Sequence, residues 1–327
     1  MAARLMKALQ YSSHGGGAAA LKHVEVPVPT PDKFEVLLKM EATSLNPIDW
    51  KIQQGGIPFF PRKYPHIPAT DIAGEVVEVG PGVKDFKVGD KVVGYRPNFS
   101  GGGLAEYVVT KENFTAARPS EVSAAEGACL PVAGLTAHKA LTTADVKLDG
   151  CGPQKNVLVT AASGGVGHYA VQLAKLGNNH VTATCGARNV ELVKSLGADE
   201  VLDYKTPEGA ALKSPSGKKY DAVINCASGI SWSTFQPNLA AEAKVIALDT
   251  TPKAFWTYAV KKLTFSKQQL IPIFSSPNRE GMEFLIKCAK EGKLKTVIDS
   301  KYPLSKAEDA WQRSMDGHAT GKIVVEP

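Results

Sequence analysis

Apolar and polar residues alternate along the first 125 residues of the chain, in short segments separated by turns rich in glycine and proline. This period-two pattern is typical of β-strands with one buried face. It predicts strands at MKALQY, KHVEVPVP, EVLLKMEATSL, DIAGEVVEVG, KVVGY and AEYVVT. We expect these strands to form a compact, mostly antiparallel β domain.

The pattern changes near Ala124. The segment AAEGACLPVAGLTAHKAL is helical in composition around a central proline and glycine, and from Val157 onward apolar strands alternate with helices. The strands are predicted at NVLVTAA, HVTATC, EVLDY, YDAVINCA and AKVIALD, and the helices at GGVGHYAVQLAKLG and ARNVELVKSLG. This alternation is typical of βαβ units that form a parallel sheet.

The C-terminal segment is similar in texture to the first part of the chain. Amphipathic helices are predicted at REGMEFLIKCAKEGK and KAEDAWQRSMDG, and strands at TVIDSKYPL and KIVVEP. The sequence therefore predicts an α/β protein with two domains. The first is a β domain formed by residues 1–125 and 276–327, and the second is a doubly wound parallel-sheet domain formed by residues 126–275.

Composition restricts the class of protein. Hydrophobic residues make up 43% of the chain and charged residues 21%, which predicts a packed core. No apolar run reaches the roughly 18 residues of a transmembrane helix, and the N-terminus lacks the apolar core of a signal peptide and the composition of a transit peptide. The five cysteines are dispersed without a CxxC pair, which indicates reduced thiols in a reducing compartment.

The net charge of +6 is interpreted mainly as a solvated basic surface. No aromatic-basic RNA motif is present, so nucleic-acid binding is not expected. The stretch Lys253–Lys267 combines lysines with Phe255, Trp256 and Tyr258. It has two interpretations: an ordinary helix with a packed aromatic face, or an amphipathic segment that faces a membrane.

The segment AASGGVG, Ala161–Gly167, lies between a predicted strand and a predicted helix. In that context a glycine-rich turn binds the pyrophosphate of a dinucleotide, because the helix N-terminus directs N–H groups toward the phosphates. Gly164 lets the backbone approach the pyrophosphate, and Gly167 lets the helix lie close to the sheet. Ala162 replaces the first glycine of the usual motif, and a purely structural turn is the alternative. The expected cofactor contacts are Ser163, Gly164, Gly165, Val166 and Gly167.

The end of the second strand of this domain has no acidic residue. NAD-specific sites place a carboxylate there, about 20 residues after the turn, to bind the ribose 2′-hydroxyl. Gly186 instead leaves room for a 2′-phosphate, and Arg188 offers that phosphate a planar set of donors. The sequence therefore predicts NADPH rather than NADH. Alternatively, Arg188 is an ordinary exposed residue of the next helix.

Together with other segments, these residues resemble the medium-chain dehydrogenase/reductase superfamily, in its zinc-independent quinone oxidoreductase branch. The matching motifs are SLNPIDWK, PATDIAGEVVEVGPGV, FKVGDKVVG, GGLAEY, LPVAGLTAHKAL, AASGGVG, KSLGADEVLDYK and GKIVVEP. The resemblance implies a GroES-like β domain and a Rossmann domain with a cleft between them. Plant envelope members of this branch and the plant alkenal/one reductases are the most similar. They imply a chloroplast protein that is peripheral at the inner envelope. The residues alone indicate only a cytoplasmic location.

The resemblance also implies that no zinc is bound. Zinc-dependent members of the superfamily bind the metal through a cysteine, a histidine and another cysteine, and the matching positions here are Asn46, Thr70 and Val132. None of these side chains supplies a thiolate or an imidazole. Without a Lewis acid, an alcohol is hard to oxidise, whereas an enone or a quinone is already electrophilic. We therefore expect a reductase.

The resemblance implies further roles for individual residues. For each of these residues, the alternative is that the side chain only packs in the core. Asn46, Asp49 and Lys51 are expected in a loop beside the substrate, where Lys51 binds a cofactor phosphate or a developing enolate. Tyr64, Lys51 or a water is the candidate proton donor, and the segment Pro58–Pro65 with Phe59 and Phe60 suggests an apolar entrance. The remaining expected cofactor contacts are Thr136, Tyr204, Asn225, Cys226, Ala227, Leu248 and Phe274.

We therefore expect an NADPH-dependent reductase that delivers hydride to the C=C bond of α,β-unsaturated carbonyls. The alternatives are an NADPH:quinone reductase, a zinc-free alcohol dehydrogenase, and a non-catalytic relative that binds NADPH or RNA. Peripheral contact with a membrane is a further expectation. The protein is expected as a monomer or a homodimer, since the edge strand Lys262–Ile273 can pair across a dimer or stay capped.

Overall fold

A computed structural model describes residues 4–56, 63–96, 100–249, 251–274 and 278–327. The chain forms two compact units: residues 1–135, 277–291 and 296–327 make the first, and residues 136–276 and 292–295 make the second. The first unit therefore extends further along the chain than residue 125. Pro58, Phe59 and Phe60 lie outside the described residues.

Among the described residues, the strands are β1 (Leu5–Gln10), β2 (Lys22–Pro27), β3 (Glu35–Leu45), β4 (Asp71–Val79), β5 (Lys91–Tyr95), β6 (Tyr107–Lys111), β7 (Thr115–Ala117), β8 (Asn156–Thr160), β9 (His180–Cys185), β10 (Glu200–Asp203), β11 (Tyr220–Asn225), β12 (Leu239–Ala247), β13 (Gln269–Pro272), β14 (Ile298–Pro303) and β15 (Lys322–Glu326). The α-helices are α1 (Pro47–Gln53), α2 (Ala124–Cys129), α3 (Leu135–Thr143), α4 (Gly167–Leu176), α5 (Val190–Ser195), α6 (Pro207–Ala210), α7 (Trp232–Phe235), α8 (Pro252–Leu263), α9 (Arg279–Lys290) and α10 (Ala307–Met315). A π-helical turn, Leu130–Gly134, joins α2 to α3.

The first unit is built on a sheet with the strand order β14-β15-β3-β4-β5-β7, in which β6 also pairs with β3. Its neighbouring strands are antiparallel except for β14 and β15, which are parallel. This arrangement confirms the mostly antiparallel β domain. One face of β3, β4 and β5 packs into a core that includes Val36, Leu38, Ile72 and Val92, as the alternating pattern requires.

The second unit contains a parallel sheet with the strand order β10-β9-β8-β11-β12-β13. Every neighbouring pair is parallel, which confirms the Rossmann-like sheet. The chain leaves β8 toward β9 on one side, and β11 lies on the other side. In open parallel sheets, ligands bind beyond the carboxyl ends of the strands at such a reversal of strand order.

Three local expectations are wrong. The segment after Asn46 is helix α1 rather than a loop, because Asn46 and Pro47 start a helix that ends at Gln53. Helix α4 begins at Gly167 rather than Gly164, because the preceding residues form the turn. The expected edge strand is shorter: Lys262 and Leu263 end α8, and the strand is Gln269–Pro272. Among the described strands β13 pairs only with β12, so its other edge is open to pairing.

No helix within the described ranges combines the length and the apolar character needed to cross a membrane.

Candidate active site

A buried cluster of polar side chains lies in the first unit around Asp71, the first residue of β4. The Asp71 carboxylate accepts hydrogen bonds from Ser44 Oγ (2.8 Å), Asn46 Nδ2 (2.8 Å) and the backbone N–H of Val132 (2.9 Å). Lys322 Nζ lies 3.6 Å from Asp71 Oδ2. Strand register brings these residues together, because β3 pairs Ser44 with Asp71 and β15 pairs Ile323 with Leu45.

Lys322 is as deeply buried as Asp71, with 2% of its surface exposed. Its ammonium donates to Asn46 Oδ1 at 2.6 Å and to the Leu45 carbonyl at 3.3 Å. Burial raises the pKa of Asp71, and the charge of Lys322 and the hydrogen bonds from Asn46, Ser44 and Val132 oppose that rise. Three hydrogen-bond donors and one ammonium therefore surround this carboxyl group and favour its carboxylate form against the cost of burial.

The cluster occupies the positions that match zinc ligands elsewhere in the superfamily, and its chemistry does not suit zinc. Asn46 is already bound through both polar atoms of its side chain, and the Lys322 ammonium holds its carbonyl oxygen. Thr70 offers only a hydroxyl, and Val132 contributes only its backbone. Zinc in proteins takes thiolate, imidazole or carboxylate ligands, and an ammonium beside the site repels a cation. Within the described part of the chain, no group of three His, Cys, Asp or Glu side chains could hold a metal ion.

Sequence reasoning assigned no role to Ser44, Asp71 or Lys322, although all three lie in recognised motifs. One signal could have found two of them. Asp71 and Lys322 are charged residues at the first position of their strands, each followed directly by apolar residues. A charged residue that is fully buried is almost always paired, so two such positions are candidates for a buried pair.

Helix α1 places Asp49 and Lys51, which were expected in one loop beside the substrate, in different environments. Asp49 is buried, and its Oδ2 accepts the backbone N–H of Asn46 at 2.8 Å, which closes the start of the helix. Burial raises the pKa of the Asp49 carboxyl to about 7, and the nearby charge of Asp71 adds to that rise. Lys51 is exposed on the outer face of the helix, with its Nζ 5.8 Å from the centroid of the Trp50 ring.

Two buried hydroxyl groups of the first unit have no hydrogen-bond partner among the described residues: Tyr64 Oη and Thr70 Oγ1. The Tyr64 ring packs edge-on to the rings of Tyr11, at 6.0 Å, and His14, at 5.5 Å. Buried hydroxyls of this kind normally find a partner, so each is available to a molecule that the chain itself does not supply.

The glycine-rich turn of the second unit connects β8 to α4. Ala161 has a positive φ of 47°, and its carbonyl accepts the N–H of Gly164 at 2.9 Å. A Cβ on Gly167 would lie 2.3 Å from the Ala161 carbonyl oxygen, so only glycine fits there. In the first turn of α4 the His168 N–H donates to the Gly164 carbonyl at 3.1 Å, so the turn and the start of the helix form one hydrogen-bonded unit. A helix start after a glycine-rich turn is a common binding site for a pyrophosphate.

Hydrogen bonds hold the ends of the neighbouring strands against this turn. Thr160 Oγ1 donates to Asn225 Oδ1 at 2.7 Å and accepts from the backbone N–H groups of Cys226 (3.0 Å) and Ala227 (3.2 Å). Asn189 Nδ2 donates to Ser163 Oγ at 3.0 Å. Sequence reasoning missed Thr160 and Asn189. The signal for Thr160 was its place at the end of the strand that precedes the turn.

The remaining expected cofactor contacts fall into two groups. Thr136 is buried in the first turn of α3, and Leu248 is half-buried with its N–H bound to the Asn225 carbonyl at 3.2 Å. Tyr204 and Phe274 are exposed, and Phe274 stacks on Phe255 with centroids 6.1 Å apart.

The residues expected to select the cofactor follow the end of β9. Gly186 lies beside Tyr204, since a Cβ on Gly186 would lie 3.5 Å from the Tyr204 ring, an ordinary contact distance. Arg188 follows in an exposed turn. Preference for a phosphorylated ribose at this place stays a prediction.

The comparisons with known proteins agree with this geometry. Residues 32–120 match the family described as alcohol dehydrogenase GroES-like domain, and residues 196–325 match the family described as zinc-binding dehydrogenase. The chain is 70% identical to the chloroplast envelope quinone oxidoreductase homolog of Arabidopsis thaliana, over 100% of both chains. It is 33% identical to an Arabidopsis protein named NADPH-dependent alkenal/one oxidoreductase, chloroplastic, covering 98% of this chain and 80% of that one. The structure of the quinone oxidoreductase from Coxiella burnetii has a TM-score of 0.88 at 31% identity, covering 99% of this chain and 100% of that chain.

The chain therefore belongs to the medium-chain dehydrogenase/reductase superfamily. Within the superfamily it is an oxidoreductase of the quinone oxidoreductase type, which confirms the resemblance seen in the motifs.

Proposed function

We propose that this protein is an NADPH-dependent reductase that adds hydride to the C=C bond of α,β-unsaturated carbonyls without zinc, with small quinones as a second substrate class. The observation that carries the proposal is the pyrophosphate-type turn before Gly167, with Gly186 and Arg188 at the end of the next strand. The names of two relatives support it, since one is an alkenal/one oxidoreductase that uses NADPH and the other a quinone oxidoreductase homolog.

When bound, a reduced nicotinamide supplies the hydride. The remaining task is to stabilise the negative charge that develops on the substrate oxygen, which is usually a large part of such catalysis. The Tyr64 hydroxyl is assigned to that oxygen, because it is buried and has no partner in the described part of the chain. Lys51 is exposed and is assigned to a cofactor phosphate or to the same charge.

The nicotinamide and ribose contacts are assigned to the edge of the sheet that carries the glycine turn. Asn225, Cys226 and Ala227 are fixed there by Thr160, and Leu248 is bound to the Asn225 carbonyl. Thr136, Tyr204 and Phe274 complete the proposed set. Asn46 acts within the polar cluster rather than on a metal, because its side-chain oxygen is bound to Lys322.

Turnover with a panel of small enones and one quinone, with EDTA present, tests this function. We expect NADPH consumption and saturated carbonyl products, because no step needs a metal. Turnover of the quinone alone would assign the protein as an NADPH:quinone reductase. Tight NADPH binding without any turnover would contradict the enzyme proposal and favour a non-catalytic, cofactor-binding relative.

We propose a chloroplast location with peripheral contact to a membrane. The names of the Arabidopsis, Spinacia oleracea and Triphysaria versicolor relatives, at 70%, 67% and 64% identity, support the chloroplast. Helix α8 supports the membrane contact, because none of its described residues is buried and Trp256 and Leu263 are 72% and 78% exposed. Exposed lysines beside these side chains, Lys253 and Lys262, complement anionic headgroups.

Replacing Lys253 and Lys262 by glutamine is expected to weaken binding to vesicles that contain anionic lipid by about 30-fold, at about 1 kcal/mol for each lysine. Co-sedimentation with anionic and with neutral vesicles measures the effect. The matched control replaces Lys213 and Lys218, which are also exposed in the second unit. Equal loss in both double variants, or equal binding to neutral vesicles, would reject α8 as the contact surface.

A further inference from the structure

The buried cluster of the first unit contains more acid than base. Asp49, Asp71 and Lys322 are buried together, and the single ammonium balances one carboxylate. The positive charge of Lys322 neutralises Asp71, since Asp71 lies 3.6 Å from Lys322 and accepts three further hydrogen bonds. Asp49 accepts only the Asn46 N–H among the bonds found in this cluster. An unbalanced buried charge is costly, so Asp49 is the member of the pair that carries a proton.

Asp49 and the unpartnered hydroxyl of Thr70 line the same small cavity. Its volume is about 10 Å³, the room that a single water molecule needs. Tyr11 and His66 also line it, so the cavity is polar enough to hold a water. Thr70 is 5% exposed, and its Oγ1 has no partner among the described residues.

We propose that Asp49 stores the proton for the reduction and delivers it through a water in this cavity and the hydroxyl of Thr70. The inference rests on the proposed function. Hydride addition leaves an electron pair shared between the α-carbon and the oxygen of the substrate. The Thr70 proton moves to that pair, a water proton replaces it, and the Asp49 proton moves to the water. Asp49 is left as a carboxylate, which solvent reprotonates. With a quinone the proton goes to oxygen instead.

The groups that face Asp49 fix the pH dependence. Asp71 and Lys322 act on it from β4 and β15, and His66 and Tyr11 lie across the cavity. Burial raises the pKa of Asp49 to about 7. Delivery needs the protonated form, so kcat is expected to fall as the pH rises through about 7.

Two conservative variants test the relay. Asp49→Asn keeps an oxygen that accepts the Asn46 N–H but has no acidic proton, and Thr70→Val keeps the shape without the hydroxyl. Each is expected to lower kcat by about tenfold or more, and the double variant no further, because both act in one transfer. The decline of kcat above pH 7 and the effect of D2O on kcat should disappear in Asp49→Asn, while its affinity for NADPH should not change.

The control is Thr115→Val, which removes a buried hydroxyl that donates to the Lys111 carbonyl at 2.9 Å and takes no part in the cluster. It is expected to keep the wild-type pH profile. An Asp49→Asn protein with wild-type kcat and the same decline above pH 7 would overturn the relay, and so would a lower kcat with an unchanged profile. Absence of turnover in the wild-type protein would instead overturn the proposed function, and the relay with it.

Discussion

Lys322→Met is expected to lower the free energy of unfolding by about 3–5 kcal/mol, the cost of leaving a buried charge without its partner. The methionine replaces the volume of the lysine but not its charge. Asp71, which is fully buried, then keeps its carboxylate without the ammonium 3.6 Å away, and the Asn46 carbonyl loses its donor at 2.6 Å. Thermal unfolding should shift downward by on the order of 10 °C.

Lys301→Met is the matched control for Lys322→Met. Lys301 is on the neighbouring strand β14, and its Nζ lies 2.9 Å from Glu326 Oε1. Half of the Lys301 side chain is exposed. Exposed ion pairs contribute about 0–1 kcal/mol, so its loss should be small. Urea unfolding of the two variants compares them directly. Equal stability of the two would show that the buried cluster does not depend on Lys322.

Arg188→Ala is expected to reduce the preference for NADPH over NADH by roughly 10- to 100-fold in kcat/KM. A charge-assisted hydrogen bond to a phosphate contributes about 1.5–3 kcal/mol, and only NADPH has the 2′-phosphate to accept it. The change should therefore appear in the KM for NADPH, with little change for NADH. Steady-state kinetics with both cofactors measures it.

The control for Arg188 is Lys194→Ala on the next helix. Lys194 Nζ is 3.0 Å from Glu191 Oε1 and is interpreted as a helix-surface residue. We expect this variant to keep the wild-type cofactor preference. If Lys194→Ala changes the preference as much as Arg188→Ala does, then the general positive charge of the surface, rather than Arg188, selects the cofactor.

The strands could be predicted from the sequence because they are short segments rich in apolar residues between turn residues. EVLLKMEATSL, for example, is strand β3 over the same residues. Helix α1 was missed because its seven residues are too few for a helical period to be visible. Its start signals were present, since Asn46 precedes Pro47 and Asp49 lies in the first turn.

The nucleotide turn and the polar cluster differ in how far local sequence defines them. Residues 161–167 form the turn within one strand–turn–helix segment, so the local pattern predicts it. Ser44, Asp71 and Lys322 are far apart in the chain and meet only through the register of β3 with β4 and β15. The amino-acid sequence alone does not show how these strands align with one another. The charge balance that places a proton on Asp49 therefore emerged only from the structure.

Helix α8 shows that amino-acid composition does not predict what a helix face contacts. Its aromatic residues favoured a packed face, and the packing is partial: Phe255 stacks on Phe274 and Tyr258 is half-buried, whereas Trp256 is 72% exposed. A patch of aromatic residues indicates a contact surface. It does not show whether the chain itself or another molecule makes the contact. The alternative, a helix that faces a membrane, stays a proposal.

Tracing the hydride tests the central claim most directly. The protein is incubated with NADPH deuterated at the transferred C4 position, an enone in ordinary water, and EDTA, and the position of the deuterium in the product is read by NMR. We expect deuterium on the β-carbon of a saturated carbonyl and a solvent proton on the α-carbon. Deuterium on the carbonyl carbon of an allylic alcohol, or transfer only after zinc is added, would contradict the account.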